Sequence, residues 1–181
     1  MEEEAKKYMF RDLKSNEIDV RVNTINEKGI TLLLYKDARV DQDILDETVG
    51  AMNWQRLHTR DNANCVVQIW DSKYMQWVSK EDTGTESYTE KEKGIASDSF
   101  KRACFNWGIG RELYTSPFIW VGADKCKIID TGRTDKNGKK VYTTTDKFYV
   151  EAIEIINKEI TGLSIKNQKN ERVFIYKKGN K

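Results

Sequence analysis

The chain has 181 residues, of which 38% are hydrophobic and 33% are charged, and its formal net charge is only +2. This composition supports a packed core under a strongly charged surface, and the length fits a single domain over residues 1–181. No apolar run approaches the roughly 18 to 20 residues of a membrane span, and the acidic start MEEEAKKYMF does not have the basic-then-apolar order of a signal peptide. We therefore expect a cytoplasmic protein without membrane partners.

Cysteine and histidine content argues against a metal site. Cys65, Cys104 and Cys126 stand at spacings that match no metal-binding motif, and His58 is the chain's one histidine. Structural zinc sites need four such ligands at characteristic spacings. We expect buried thiols, no metal and no cofactor.

Charge is unevenly distributed along the chain. Residues 1–50 carry 8 basic and 12 acidic side chains, whereas the remaining 131 residues carry 23 basic and 17 acidic ones. This asymmetry is compatible with a basic binding surface, with contacts between oppositely charged subunits, or with a solvated surface that has no binding role.

The N-terminal part predicts a helix, a hairpin and a second helix. Apolar residues at helical spacing predict a helix over residues 2–15. Asp41 can cap the second helix, whose inner face is expected to hold Ile44, Leu45 and Val49. The hairpin strands are predicted over 18–25 and 30–35, and the second helix over 42–52.

Three strands and a long helix are predicted next. The alternating runs predict strands over 54–59, 64–70 and 74–80, the last two joined by the turn Asp71-Ser72-Lys73. The helix is predicted over 89–107, with Thr89 as N-cap, Glu92 completing a capping box, and Gly108 and Gly110 ending it. This order gives a β-β-β-α core, a twisted antiparallel sheet packed on one long helix, and the fold class α+β.

The C-terminal part predicts a strand meander. Pro117 marks its start, a polar loop is expected over 131–140, and Asn157-Lys158 is a tight turn. Strands are predicted over 118–121, 127–129, 147–156, 159–166 and 172–177.

The long helix carries the most informative pattern in the chain. Lys93, Ser97 and Lys101 are four residues apart and lie along one line, with Arg102 one step round the helix. Amines and a hydroxyl at this spacing can follow a phosphate backbone. The pattern also fits an ordinary solvated helix surface. The opposite side, expected to face the core, holds Ile95, Phe100, Ala103, Cys104 and Trp107.

Further basic residues extend the candidate surface. Arg56 and Arg60 lie near Trp54, and basic residues interleaved with aromatic ones suit single-stranded nucleic acid. The candidate surface also contains Lys80, at the end of the strand predicted over 74–80, and Arg111, which follows the helix end in the sequence GIGR.

An enzymatic site is not apparent. Asp71-Ser72-Lys73 offers the acid and lysine that metal-dependent nucleases use, but the triplet falls on a turn and lacks a second carboxylate beside it. The phosphate-binding pattern GxxxxGK[ST] does not occur, so we expect no ATP-driven activity.

The segment KGIASDSFKRACFNWGIGRELY resembles the signature of phage Sak-type single-strand annealing proteins, which belong to the Rad-fifty-two superfamily. GAMNWQRLHT and the strands through WVSKEDTGT match the same family in order and length, so the resemblance covers about residues 40–120. It implies that Lys93, Ser97, Lys101 and Arg102 contact DNA. Phe105 and Glu90 stand where the family has further basic residues.

The resemblance also implies an organisation and partners. It implies an annealing core over 40–120. From the acidic charge of the N-terminal part we expect an oligomerisation region over 1–39, and from the strand pattern a C-terminal strand extension over 121–181. The expected partners are single-stranded DNA, further copies of the chain in a ring or filament, and a phage exonuclease or host single-strand-binding protein in a bacterial cytoplasm.

We therefore expect a non-enzymatic protein that binds single-stranded DNA and anneals complementary strands without ATP in phage or prophage recombination and repair. Three alternatives remain open. One is a DNA-end protection protein of the same fold, another is a metal-dependent nuclease, and the third is a double-stranded RNA module.

Overall fold

The computed structural model describes the backbone of residues 8–85 and 91–179 and the side chains of 8–85 and 94–179. Within these residues the chain is an α+β protein with two α-helices and antiparallel sheets, as the sequence predicts at the level of fold class. In chain order the elements are β1 (Asp19–Asn26), β2 (Gly29–Tyr35), α1 (Ala38–Val49), β3 (Trp54–Thr59), β4 (Asn64–Asp71), β5 (Gln76–Thr83), α2 (Lys91–Trp107), β6 (Ile119–Gly122), β7 (Ile129–Thr134), β8 (Lys140–Thr143), β9 (Phe148–Ile156), β10 (Glu159–Asn167) and β11 (Arg172–Lys177).

The chain divides into two compact units. The first contains the described residues up to Asp12 together with Asp37–Arg111, and the second contains Leu13–Lys36 together with the described residues from Glu112 onward. The expected divisions after residues 39 and 120 differ from these boundaries, because β1 and β2 belong to the same sheet as the C-terminal strands.

The sheet of the first unit has the strand order β3-β4-β5. On its central strand, Cys65, Val67 and Ile69 are buried, and they alternate with partly exposed residues. Because successive side chains on a strand point to opposite faces, these three mark the covered face of the sheet. The strand predicted over 54–59 is confirmed with those bounds.

The turn between β4 and β5 is longer than predicted. Four residues, Ser72–Met75, separate the paired residues Asp71 and Gln76. Asp71 Oδ1 accepts hydrogen bonds from the main-chain N–H groups of Lys73 (2.9 Å) and Tyr74 (3.3 Å). These bonds hold the chain in a turn, so the predicted strand start at Tyr74 is wrong by two residues.

Helix α1 begins earlier than predicted. Its N-cap is Asp37, whose Oδ1 accepts a hydrogen bond from Arg39 N at 2.8 Å. The predicted cap, Asp41, lies inside the helix and is buried. The error arises because Asp37 and Asp41 are both suitable capping residues one helical turn apart. The predicted inner face is confirmed, since Ile44, Leu45 and Val49 are buried.

Helix α2 ends at the predicted place. Ile109 N donates to Cys104 O at 3.2 Å and Gly108 N donates to Phe105 O at 3.0 Å. With Gly108 at a φ of 99°, these bonds form a Schellman motif. Phe100, Ala103 and Cys104 are fully buried, and Ile95 and Trp107 are partly buried, as expected for the core face.

The predicted helix start at residue 89 lies outside the described residues. The predicted cap Thr89 is not among them, and neither is the Glu92 side chain. Just before this region, Gly84 packs closely on the helix: a Cβ atom there would lie 2.5 Å from Ser99 N and 2.9 Å from Ile95 O. This contact brings the end of β5 against the first half of α2.

The predicted N-terminal helix is wrong where it is described. Residues 8–14 have no regular secondary structure, and Ser15–Glu17 forms a short 3-10 turn. Residues 1–7 lie outside the described residues. Leu13 N donates a 2.7 Å hydrogen bond to Oε1 of the fully buried Glu112. This tertiary bond holds Leu13 and outweighs the helical spacing of the apolar residues.

The second unit is built on a sheet with the strand order β11-β10-β9-β1-β2-β6. Strands β11 and β6, at opposite ends of this order, approach each other, so the sheet curls around its apolar residues. Asn157 and Lys158 have φ values of 52° and 63°, which confirms the predicted tight turn between β9 and β10. The buried core residues are Ile30, Leu32, Ile119, Val121, Phe148, Ile160, Leu163, Ile165 and Val173.

The polar loop predicted over 131–140 is partly wrong. Strand β7 continues to Thr134 and pairs with β8, so that Thr134 lies opposite Lys140. Asp135 O accepts a hydrogen bond from Gly138 N at 3.0 Å, which closes the turn. Both strands are largely exposed and therefore polar, and the polar composition of this segment predicted a loop.

In the part of the chain that the structure describes, neither helix is long and apolar enough to cross a membrane.

Candidate nucleic-acid interface

Strand β3 presents Trp54 and Arg56 to helix α2. The two residues are two positions apart and therefore lie on the same face of the sheet. The Trp54 ring stacks on the buried Phe100 ring at a centroid distance of 6.1 Å. The Arg56 guanidinium carbon lies 4.7 Å from the Phe100 centroid, a cation–π arrangement, while the residue remains exposed. Arg56 is thus held in place and still accessible.

Lys80 and Arg111 meet at the C-terminal end of α2. Lys80 Nζ and Arg111 Nη2 both donate to the main-chain oxygen of Asn106, at 2.8 and 3.0 Å. Arg111 Nε also donates to Phe105 O at 2.9 Å. Carbonyls in the last turn of a helix have no partner within the helix and carry partial negative charge, so they attract cations. Two exposed positive charges are therefore fixed at one point.

Arg102 lies on the flank of α2 that faces β5. Its Nε atom is 3.3 Å from Asp82 Oδ1, and its side chain is 42% exposed. Asn106 Nδ2 donates to Glu81 O at 2.9 Å and also lies 3.4 Å from Asp82 Oδ2. The main-chain oxygen of Asn106 thus binds Lys80 and Arg111, and its side chain contacts Asp82, the ion-pair partner of Arg102. Lys80, Arg102 and Arg111 therefore form one basic cluster around Asn106.

The predicted stripe along α2 is only partly within the described side chains. Ser97 and Lys101 are half-buried, and the side chain of Lys93 lies outside the described residues. Lys101 and Arg102 are consecutive, so they project about 100° apart around the helix. Arg102 is turned toward β5, and the structure groups it with Lys80 and Arg111.

Arg60 lies in the turn between β3 and β4. Arg60, Asp61 and Asn62 all have positive φ values, of 53°, 50° and 69°. The Ser99 hydroxyl donates to Asn62 O at 2.9 Å, which ties this turn to α2. Arg60 is exposed and lies in the same unit as the basic cluster, at the other end of β3 from Trp54.

Two members of the cluster, Asp82 and Asn106, were missed by the sequence analysis. Asn106 is four residues after Arg102 and therefore lies on the same side of the helix, which was a usable signal. Asp82 lies beyond the predicted strand end at Lys80, whereas β5 continues to Thr83.

Burial shifts the pKa of three side chains, His58, Cys65 and Cys126, toward the neutral form. Burial, and then the positive charge of Arg56, lower the pKa of His58. Burial raises the pKa of Cys65 to about 11, so this thiol remains protonated at neutral pH. Cys65 and Cys104 are buried as expected, whereas Cys126 is half-buried. Burial also raises the pKa of Cys126, and the nearby Asp146 and Asp124 act in the same direction.

The triplet Asp71-Ser72-Lys73 serves the β4–β5 turn. Asp71 Oδ1 is engaged by two main-chain N–H groups, and Lys73 Nζ lies 5.5 Å from the Tyr74 ring centroid. Among the described residues, no group of three or more His, Cys, Asp or Glu side chains is arranged to hold a metal ion.

The site and the surrounding fold define an α+β protein with an exposed basic cluster at one helix end. Comparison of the chain with protein-family models, with curated proteins and with solved structures found no match.

Proposed function

We propose that this protein binds single-stranded DNA and anneals complementary strands without ATP, in phage or prophage recombination and repair. The observation that carries the proposal is the convergence of Lys80 and Arg111 on the Asn106 carbonyl, with Arg102 nearby on the flank of α2 that faces β5. Each cation has further N–H donors, and charge-assisted hydrogen bonds to phosphate are among the strongest available. The resemblance of the α2 segment to Sak-type annealing proteins supports the same proposal.

The proposed mechanism depends on backbone contacts. Phosphate contacts position a strand without reading its sequence, so any strand can be held with its bases available for pairing. In this proposal Lys93, Ser97 and Lys101 extend the phosphate path along α2, and Arg56 and Arg60 extend it on the β3 side. Base pairing supplies the driving force, and the protein performs no covalent step.

We further propose that the chain acts as a homo-oligomer, a ring or a filament. Many subunits along one strand turn modest binding per subunit into tight binding. The β-β-β-α segment over 40–120 would form the annealing core, and residues 1–39 would contribute to subunit contacts. A phage exonuclease or a host single-strand-binding protein is the proposed protein partner, and the bacterial cytoplasm is the proposed location.

The test is an annealing assay with two fluorescently labelled complementary oligonucleotides, in EDTA and without ATP. The protein should accelerate duplex formation, and the Lys80→Gln/Arg111→Gln variant should lose most of the acceleration. A matched control, Lys125→Gln/Arg133→Gln, removes the same charge from exposed positions of the second unit and should anneal like the wild type.

Each alternative predicts a different result. Binding to single strands without acceleration would favour DNA-end protection. Degradation of the labelled strand after magnesium is added would favour a nuclease. Displacement of the strand by duplex RNA would favour an RNA-binding module. An absolute requirement for magnesium or ATP would refute the proposed mechanism.

A further inference from the structure

A cleft of about 240 Å³ lies between the β4–β5 turn and the C-terminal end of α2. Its walls are mostly aromatic and aliphatic, and the polar residues Asp71, Ser72 and Lys73 of the β4–β5 turn also line it. Such a cavity is smaller than the roughly 300–1,000 Å³ of pockets for drug-sized ligands, and it suits one planar ring system. The aromatic and aliphatic lining residues are Tyr8, Ile69, Trp70, Val78 and Trp107.

The cleft adjoins the basic cluster directly. Lys80 Nζ lies 4.6 Å from the centroid of the Trp107 ring, which forms one wall of the cleft. Val78, two residues before Lys80 on the same face of β5, forms part of the cleft lining. A ligand that places an anion at Lys80 can therefore place an attached flat group in the cleft.

We infer that this cleft holds one nucleobase of a bound DNA strand while Lys80 and Arg111 hold an adjacent phosphate. The inference rests on the proposed function and adds a contact that backbone binding does not require. Aromatic walls accept any base, because every base has a π-face, and stacking stabilises each stacked base by about 1–3 kcal/mol. One base per chain would be withdrawn from solvent, and the others would remain available for pairing.

The decisive experiment compares two oligonucleotides of equal length, one of thymidines and one of abasic residues with the same phosphates. The wild type should bind the thymidine strand at least about 5-fold more tightly, the lower end of one stacking contact. Val78→Phe should fill the cleft and bring thymidine affinity down to the abasic level, with abasic affinity unchanged.

The control is Val141→Phe. Val78 and Val141 are strand valines with 36% and 37% exposure, but Val141 lies in the second unit. This control should keep the wild-type preference for thymidine. Circular dichroism and thermal melting of both variants show whether each is folded.

A second measurement needs no variant. Permanganate oxidises unstacked thymines, so a saturated wild-type complex should show a protected minority among reactive thymines. Equal affinity for the two oligonucleotides, or uniform thymine reactivity, would overturn the base-binding cleft and leave the phosphate-binding function intact. Failure to bind either oligonucleotide would instead overturn the proposed function itself.

Discussion

Lys80 Nζ donates a 2.8 Å hydrogen bond to the main-chain oxygen of Asn106 and so links strand β5 to the last turn of helix α2. The same carbonyl receives Arg111 Nη2 at 3.0 Å. Cations near the C-terminal end of a helix stabilise it by about 0.3–1 kcal/mol. The pair therefore has a structural role in addition to the proposed role in DNA binding, and an experiment must separate the two.

Salt dependence of binding separates these roles. Lys80→Gln and Arg111→Gln should each weaken binding to all single-stranded sequences alike. Each should also make the negative slope of log K against log salt shallower, by about one for every phosphate that the variant no longer binds, because fewer counterions are released. Fluorescence anisotropy titrations at several salt concentrations measure both quantities. Lys80→Arg keeps the charge and should retain most of the slope, whereas an unchanged slope in folded Lys80→Gln would contradict the site.

Gly84 should be essential to the packing of β5 on α2. In Gly84→Ala, the new Cβ would lie 2.5 Å from Ser99 N and 2.9 Å from Ile95 O, both of which are main-chain atoms. The helix must shift to relieve this overlap, so we expect a loss of about 1–3 kcal/mol in the free energy of unfolding. Urea denaturation measures the loss. Gly179→Ala, where no atom lies within 4 Å of the added carbon, should be neutral; equal stability of both variants would contradict the close packing at Gly84.

Local signals predicted much of the fold. Alternation of apolar residues located β3 and the beginning of β4, and the Asn157-Lys158 turn fixed the hairpin between β9 and β10. These elements are defined by residues close together in sequence. The pairing of β1 with β9 joins Asp19 to Tyr149, and no local pattern indicates a partner so distant along the chain. The division into two units depends on that long-range pairing.

The candidate site was predictable only as a set of basic residues. Helical spacing predicted that Lys101 and Arg102 lie close together, but it did not indicate that Arg102 forms an ion pair with Asp82 on strand β5. The meeting of Lys80 and Arg111 depends on the register of β5 against the helix end, which is a tertiary feature. Residue types therefore predicted the chemistry, and packing decided which of the residues converge.

His58 should make stability fall in mildly acidic solution. Burial and Arg56 lower its pKa below 6.5 in the folded state, so below that pH the unfolded chain binds more protons. The stabilising contribution is present above pH 6.5 and is lost as the pH falls through the folded pKa. Urea midpoints from about pH 8 to about pH 5 measure the loss, which should be smaller in His58→Gln.

Carboxylates with lowered pKa values also make stability depend on pH; the hydrogen bond from Arg172, for example, lowers the pKa of Glu151 to about 2. Their contribution is the same in His58→Gln and in the wild type, so it cancels when the two proteins are compared. If the two proteins lose the same stability over this range, His58 is not the group responsible.

Asp82→Asn should strengthen binding to single-stranded DNA. Asp82 Oδ1 lies 3.3 Å from Arg102 Nε, so the carboxylate competes with phosphate for this guanidinium and adds negative charge beside the cluster. Asparagine keeps an oxygen that can accept from Thr83 N, which now donates to Asp82 Oδ1 at 2.7 Å. The ion pair is partly exposed, so its loss should change the free energy of unfolding by less than about 1 kcal/mol.

Anisotropy titrations of Asp82→Asn should show higher affinity at low salt, with the advantage shrinking as salt screens the charges. Asp124→Asn makes the same change in net charge at an exposed position of the second unit and should leave affinity nearly unchanged. Weaker binding by folded Asp82→Asn would mean that Asp82 orients Arg102 for phosphate and would contradict competition between Asp82 and phosphate.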